Sequence, residues 1–132
     1  ARDAAGDPAR LAVRLLEIGA ASVVVTLGAA GSVVAEAGSA IAGGAVQDGV
    51  VRGDAAAGGA MRIPAPRVPV VDTTGAGDAF VGAVACELAR GSRLIEAVRF
   101  ATAAASLSVQ RLGAQASYAE RSEIEQALRA EI

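Results

Sequence analysis

Asp72-Thr73-Thr74-Gly75-Ala76-Gly77-Asp78-Ala79-Phe80 sets a carboxylate at a two-glycine turn, between an extended apolar stretch and an apolar, helix-like one. Glycine frees the backbone at such a turn, and the first N–H groups of the helix after it have no carbonyl partner within that helix. Those N–H groups and the positive end of the helix dipole suit an anion. The N–H groups of Ala76, Gly77 and Asp78 are therefore candidates for an anion hole, and Asp78 is a candidate base for an attacking hydroxyl. These are the parts that phosphoryl transfer to an alcohol needs: charge stabilised on the migrating group and a nucleophile held in line. The plainer reading is a capped helix start that binds nothing. Two other glycine motifs are excluded. A dinucleotide fingerprint needs a glycine where Phe80 stands, and a Walker loop needs a lysine, of which the chain has none.

Two further segments carry chemistry. Thr26-Leu27-Gly28-Ala29-Ala30-Gly31 lies at the carboxyl end of an expected strand, where α/β folds bind ligands and glycines let a nucleotide approach the backbone. It also reads as an ordinary tight turn between two strands. Ser108-Val109-Gln110-Arg111-Leu112-Gly113-Ala114-Gln115-Ala116-Ser117 reads as a helix end with free carbonyls, then a glycine, then a serine hydroxyl. Free carbonyls at the negative dipole end can hold a monovalent cation, although the same spacing fits a plain C-cap and then an N-cap.

The elements that position these segments follow from pattern. Asp7-Pro8 reads as an N-cap followed by proline at the first helical position, and Gly19 ends that helix. Leu11, Leu15 and Ile18 are expected to form its apolar face. Ser22 to Leu27 is short and β-branched, which suits a buried parallel strand, and Ser32 to Glu36 reads as the next strand. Residues 37–60 read as a hairpin or exposed loop, with weak strand signal at Ala40-Ile41-Ala42. Met61 to Val71 returns to strand character, made irregular by Pro64, Pro66 and Pro69. Three helices are expected after that. One runs from the Gly75–Asp78 turn to Arg90, a second is capped by Ser92 and reaches about Gln110, and a third opens with a capping box at Ser117–Glu120. The order implies a layered α/β domain over residues 1–132 with no internal repeat.

The 132 residues suffice for one domain with a core. A net charge of −2 gives no attraction to nucleic acid or an anionic membrane. No apolar run is long enough to span a bilayer, and a cytoplasmic setting is expected. With no histidine, histidine catalysis and histidine-ligated metals are excluded within this sequence. The single cysteine, Cys86, is expected to be a packed core thiol. The first residue is alanine and leads straight into a helical pattern, so the sequence is expected to be part of a longer protein.

Together the three segments resemble the ribokinase branch of the PfkB carbohydrate kinases. The match is strongest at Asp72–Phe80 with Val81-Gly82-Ala83, and the Thr26–Gly31 and Arg111–Ser117 segments fall in the right order. The resemblance implies a ribokinase-like three-layer α/β/α sandwich, of which this is the C-terminal portion without the lid. It implies ATP-dependent phosphorylation of a sugar hydroxyl, with ribose to ribose 5-phosphate as the first choice and fructose or another small sugar as the alternative. Asp78 corresponds to the catalytic base, and Gly75, Ala76 and Gly77 match the anion hole. Thr26, Gly28 and Gly31 match the nucleotide-binding turn, and Thr102 and Ala105 fall where the adenine pocket is lined. The potassium site maps to Asp72, Thr74, Ser108, Arg111, Gly113 and Ser117, several of them through backbone carbonyls. Magnesium accompanies ATP in the family. Its Asn-x-x-Glu motif, the paired-glycine sugar motif and the lid of strands have no counterpart in this sequence. Ala116 stands where a proline is common. The expected partners are a small sugar and ATP, with no nucleic acid or membrane, and the resemblance allows a homodimeric parent. The isolated chain is expected to be inactive. The alternative is a non-catalytic nucleotide-binding or structural domain with a kinase-like fold.

Overall fold

A computed structural model describes residues 6–37 and 60–131. The expected loop over residues 37–60, with its strand signal at 40–42, lies almost entirely outside the described residues. The chain divides into two compact units, Ala1–Pro64 and Ala65–Ile132.

Among its described residues the first unit holds one α-helix and a small sheet. Helix α1 spans Pro8–Glu17, and the Asp7 side chain caps it by accepting from the Ala9 N–H at 3.1 Å. A cap of this kind is worth about 1 kcal/mol. Strands β1 (Ser22–Thr26), β2 (Ser32–Glu36) and β3 (Ala60–Ile63) lie in the order β1-β2-β3. Both pairings are antiparallel, with Val24 opposite Val34 and Val34 opposite Met61. The expectation of a parallel strand at Ser22–Leu27 is therefore corrected for the described pairings. The connection from Thr26 to Ser32 is too short for the crossover a parallel pair requires, and it closes a hairpin instead.

Central strand β2 is buried on both faces, and Val33 and Ala35 pack with Val23 against α1. The helix presents Ala9 and Ala12 to this core, with Leu15 and Leu16 partly buried beside them. Leu11 and Ile18 are exposed, so the expected leucine face is rotated. The small alanines let the helix lie close on the valines, and close contact across the whole interface outweighs burial of two larger side chains.

The second unit is helical. Residues 64–75 contain no strand, so the expected strand over Met61–Val71 shortens to β3. Helices α2 (Ala76–Ala89), α3 (Leu94–Ser108) and α4 (Arg121–Ala130) complete the chain's described elements. α2 packs on α3, and α3 on α4. Phe100, Ala103, Ala104 and Ile124 form the core, with Ala83, Leu107 and Leu128 packed around it.

Two caps differ from expectation. α3 starts at Arg93, whose N–H donates to Glu96 at 3.1 Å, while Ser92 donates its hydroxyl to Glu87. α4 starts at Glu120, whose N–H donates to Glu123 at 2.8 Å. Ser117 lies three residues upstream in a 3-10 turn, Gln115–Ser117. In both cases a glutamate at the third helical position takes the cap N–H and sets the start one to three residues later than serine would.

Candidate functional site

The Asp72–Asp78 turn is built from its N–H groups. Gly75 has φ of 77°, the left-handed conformation that glycine adopts without strain. A Cβ there would also lie 3.0 Å from Tyr118 Oη and 3.1 Å from Ala114 Cβ, so this position excludes a side chain on two counts. Gly77 differs: its φ is ordinary, and a Cβ would meet nothing within 4 Å. Neither backbone conformation nor packing accounts for a glycine there.

Ala76 donates its N–H to the Thr73 carbonyl at 3.2 Å, closing the turn. That amide is engaged, which removes it from the expected donor set. Among the described residues, the N–H groups of Gly75, Gly77 and Asp78 have no hydrogen-bond partner. The α2 dipole adds its positive end there. Asp78 is exposed and stands on the rim of a cavity of about 280 Å³ that also reaches Cys86, Phe100, Tyr118, Arg121 and Ile124. Cys86 is exposed there and is not the packed core thiol expected from its apolar neighbours. Its helix turns it toward the cavity, whose wall also includes Phe100 and Ile124.

One wall of the cavity is fixed by charge. Glu87 is buried at 8% exposure and pairs tightly with Arg121. Arg121, together with Ser92 and Arg90, holds the Glu87 carboxyl below its ordinary range against the opposing effect of burial. The Arg121 guanidinium lies over Phe100 at 4.6 Å and also reaches Glu125 at 3.3 Å.

Asp72 ties this turn to the loop after α3. One carboxylate oxygen accepts from the Thr74 N–H and the other from the Gly113 N–H, each at 2.9 Å. These bonds, those from Thr74 first, hold its carboxyl below the usual aspartate value. The N–H groups of Val71 and Asp72 both donate to the Val109 carbonyl, at 2.7 and 3.1 Å. The structure thus brings together Asp72, Thr74 and Gly113 of the expected cation set. Ser108 and Ser117 are buried, and their hydroxyls donate to Ala105 and Ala114 carbonyls at 2.8 and 2.6 Å. The Arg111 side chain pairs with Glu123 at 2.5 Å, so only its carbonyl is available to a cation. Among the described residues the carbonyls of Thr74, Arg111 and Gly113 accept no hydrogen bond. Carbonyls and one carboxylate are a hard oxygen donor set, suited to a monovalent cation. No three His, Cys, Asp or Glu side chains converge among the described residues.

The remaining expected residues fall in different units. In the first, Gly28 and Gly31 have φ of 58° and 90° and flank a 3-10 turn, Gly28–Ala30, at the end of β1. In the second, Thr102 is buried and donates its hydroxyl to the Val98 carbonyl at 2.8 Å, and Ala105 is half-buried in the next turn of α3. Thr102 can therefore offer a ligand its methyl group but not a free hydroxyl. The expectation did not include Tyr118 or Arg121. Tyr118, the only tyrosine, read as part of a capping box, and nothing in the local sequence brings it beside Gly75.

A family model described as pfkB family carbohydrate kinase matches residues 2–121. The chain belongs to this family. It is 35% identical to the ribokinase of Mus musculus over 130 residues, covering 95% of this chain and 35% of the relative. The crystal structure of ribokinase from Thermotoga maritima aligns with a TM-score of 0.70 and 37% identity, over 89% of this chain and 33% of that one. The structure of Arabidopsis thaliana ribokinase complexed with ribose and ATP aligns at 0.68 and 32%, over 88% and 31%. Within the family the chain is ribokinase-like, and its fold is a partial α/β fold of that type. It spans about a third of the length of these three proteins. Among the described residues no helix is long and apolar enough to cross a membrane.

Proposed function

We propose that this chain is the C-terminal, catalytic-base portion of an ATP-dependent sugar kinase, and that the sugar is ribose, phosphorylated at its 5-hydroxyl. The observation that carries this reading is Gly77: a glycine with ordinary φ and open space beside it, at a turn with free N–H groups and an exposed carboxylate. A ligand that must come close to the backbone accounts for it. In the reaction the sugar oxygen attacks the terminal phosphorus of ATP and forms the new O–P bond. The bond to ADP breaks with its electron pair remaining on ADP, and the sugar proton passes to Asp78. The free amides of Gly77 and Asp78, with that of Gly75, hold the migrating phosphoryl group, and the α2 dipole stabilises its charge.

Within the first unit, Thr26, Gly28 and Gly31 form a turn of the kind a nucleotide approaches; within the second, Thr102 and Ala105 are the candidates for contact with the base. Potassium is held by the Asp72 carboxylate, by the carbonyls of Thr74, Arg111 and Gly113, and by Ser108 and Ser117. Its charge supports the anion hole through the Asp72–Thr74 segment. Magnesium comes with ATP and takes its protein contacts from outside this chain. The chain alone is inactive, because sugar recognition lies elsewhere in the parent kinase.

The test is ATP consumption against a panel of pentoses and hexoses, with this chain and with a form extended upstream. Turnover is expected only in the extended form, with ribose, and Asp78→Asn should lower it by roughly 10²- to 10⁴-fold, the range for loss of a general base. Sugar-dependent turnover that survives Asp78→Asn removes the base assignment.

A further inference from the structure

We infer that the Tyr118 hydroxyl is a further catalytic donor, hydrogen-bonded to the phosphoryl group held at the Gly75–Asp78 turn; this rests on that turn being the phosphoryl site of a sugar kinase. A migrating phosphoryl group carries charge on three equatorial oxygens. The turn offers the free amides of Gly75, Gly77 and Asp78, while the Ala76 N–H is held by the Thr73 carbonyl. The Tyr118 hydroxyl stands beside this turn and can add a side-chain donor to its amides. It is the atom nearest to where a Cβ on Gly75 would lie, at 3.0 Å, and the other two near neighbours are carbons of Ala114.

Three features fit the hydroxyl for this role. Among the described residues it has no hydrogen-bond partner, and Tyr118 is exposed, so the hydroxyl is open to a ligand. It lines the same cavity as Asp78, so donor and base face one space. Its backbone follows directly on the 3-10 turn Gln115–Ser117, in which Ser117 is fully buried. A phenol donates a hydrogen bond without adding charge. The roles then separate: Asp78 takes the alcohol's proton, and Tyr118 keeps its own while the O–P bond forms and the bond to ADP breaks.

The other polar groups on the cavity wall do not compete. The Arg121 guanidinium is held by Glu87 and Glu125 over Phe100. The Cys86 thiol is a weak donor.

The experiment uses the upstream-extended kinase carrying Tyr118→Phe, which keeps the ring and its packing. We expect kcat to fall about a hundredfold, the lower end for loss of one oxyanion donor. KM for ATP and ribose should stay within about twofold, since the contact strengthens only in the transition state. Affinity for ADP–aluminium fluoride in the presence of ribose, a mimic of the migrating group, should fall by the same factor as kcat. A packing role would not produce that match. An unchanged kcat overturns the assignment, and so does a lower kcat with unchanged affinity for the mimic. Asp78→Asn is assayed alongside. If it retains turnover, the reading of the turn fails. If it is inactive while Tyr118→Phe matches the parent, only the tyrosine assignment fails.

Discussion

Each unit contains a turn with two glycines a few residues apart, and the two turns use their backbone N–H groups differently. In the first unit Leu27 donates to Gly31, Ala30 to Leu27 and Gly31 to Gly28, at 2.8 to 3.1 Å. That turn closes on itself and joins two antiparallel strands. In the second unit, of the N–H groups of Gly75–Asp78 only that of Ala76 is engaged, and those on either side of it are free among the described residues. The two glycine spacings look alike as letters. The next element decides which donors stay free among the described residues: before a strand that returns to pair, those of Gly28 and Ala29, and at the start of a helix, those of Gly75, Gly77 and Asp78.

The comparison is broken most sharply at Gly77. Its φ is ordinary, so alanine there is strain-free and should raise stability by roughly 0.5–1 kcal/mol through better helix propensity. If a phosphoryl group approaches that backbone, the same substitution should lower kcat of the extended kinase by at least about tenfold, through misplacement of the reacting group. Rates equal to the parent's would show that nothing needs the space. Denaturation and turnover measured on one preparation separate the two effects.

Substitution of the positive-φ glycines sharpens the contrast in stability. Gly75→Ala meets both a left-handed backbone and the crowding of Tyr118 and Ala114, and should cost roughly 2–4 kcal/mol. Gly28→Ala meets only the left-handed backbone, with open space around it, and should cost roughly 1–2 kcal/mol. Urea unfolding midpoints of the two variants rank them. Equal losses would mean that the contact with Tyr118 and Ala114 contributes nothing.

Much of this was legible from sequence where the signal is local. Asp7-Pro8 marks the start of α1, Gly91 the end of α2, and Gly75-Ala76-Gly77-Asp78 the junction with its charge. The α/β class and the family follow from the same short segments. The features that could not be read are set by competition or by distance along the chain. Alanines displaced Leu11 and Ile18 from the α1 interface because packing closeness is invisible to a hydropathy count. Ser92 lost its cap to Glu96 because a serine hydroxyl had a second partner, Glu87, five residues back. The turn at Gly28–Gly31 is legible, but the antiparallel direction of its strands is not, because a run of valines reads equally well in either direction. The approach of Tyr118 to Gly75 joins residues 43 positions apart, and no periodicity reports it.

The smallest expected effect concerns the strap between the second turn and the loop after α3. The Asp72 carboxyl is held below its ordinary value near 3.8 by hydrogen bonds from Thr74 and Gly113. A carboxylate whose folded pKa lies below its unfolded one contributes stability that is present above the unfolded value and is lost as pH falls through the folded value. The unfolding midpoint of the parent should therefore drop as pH is lowered from about 5 through the carboxylate range. Other paired carboxylates, Glu87 and Glu123 among them, contribute to the same drop. Asp72→Asn isolates its share: the variant should be less stable than the parent at pH 5, and the gap between them should narrow as the pH falls. The first unit offers the control, since its glycine turn is closed by backbone bonds alone and Gly28→Ala should lose the same stability at both pH values. A gap for Asp72→Asn that stays constant with pH would mean that shape rather than charge holds the strap, and that the carboxylate is dispensable for joining the two loops.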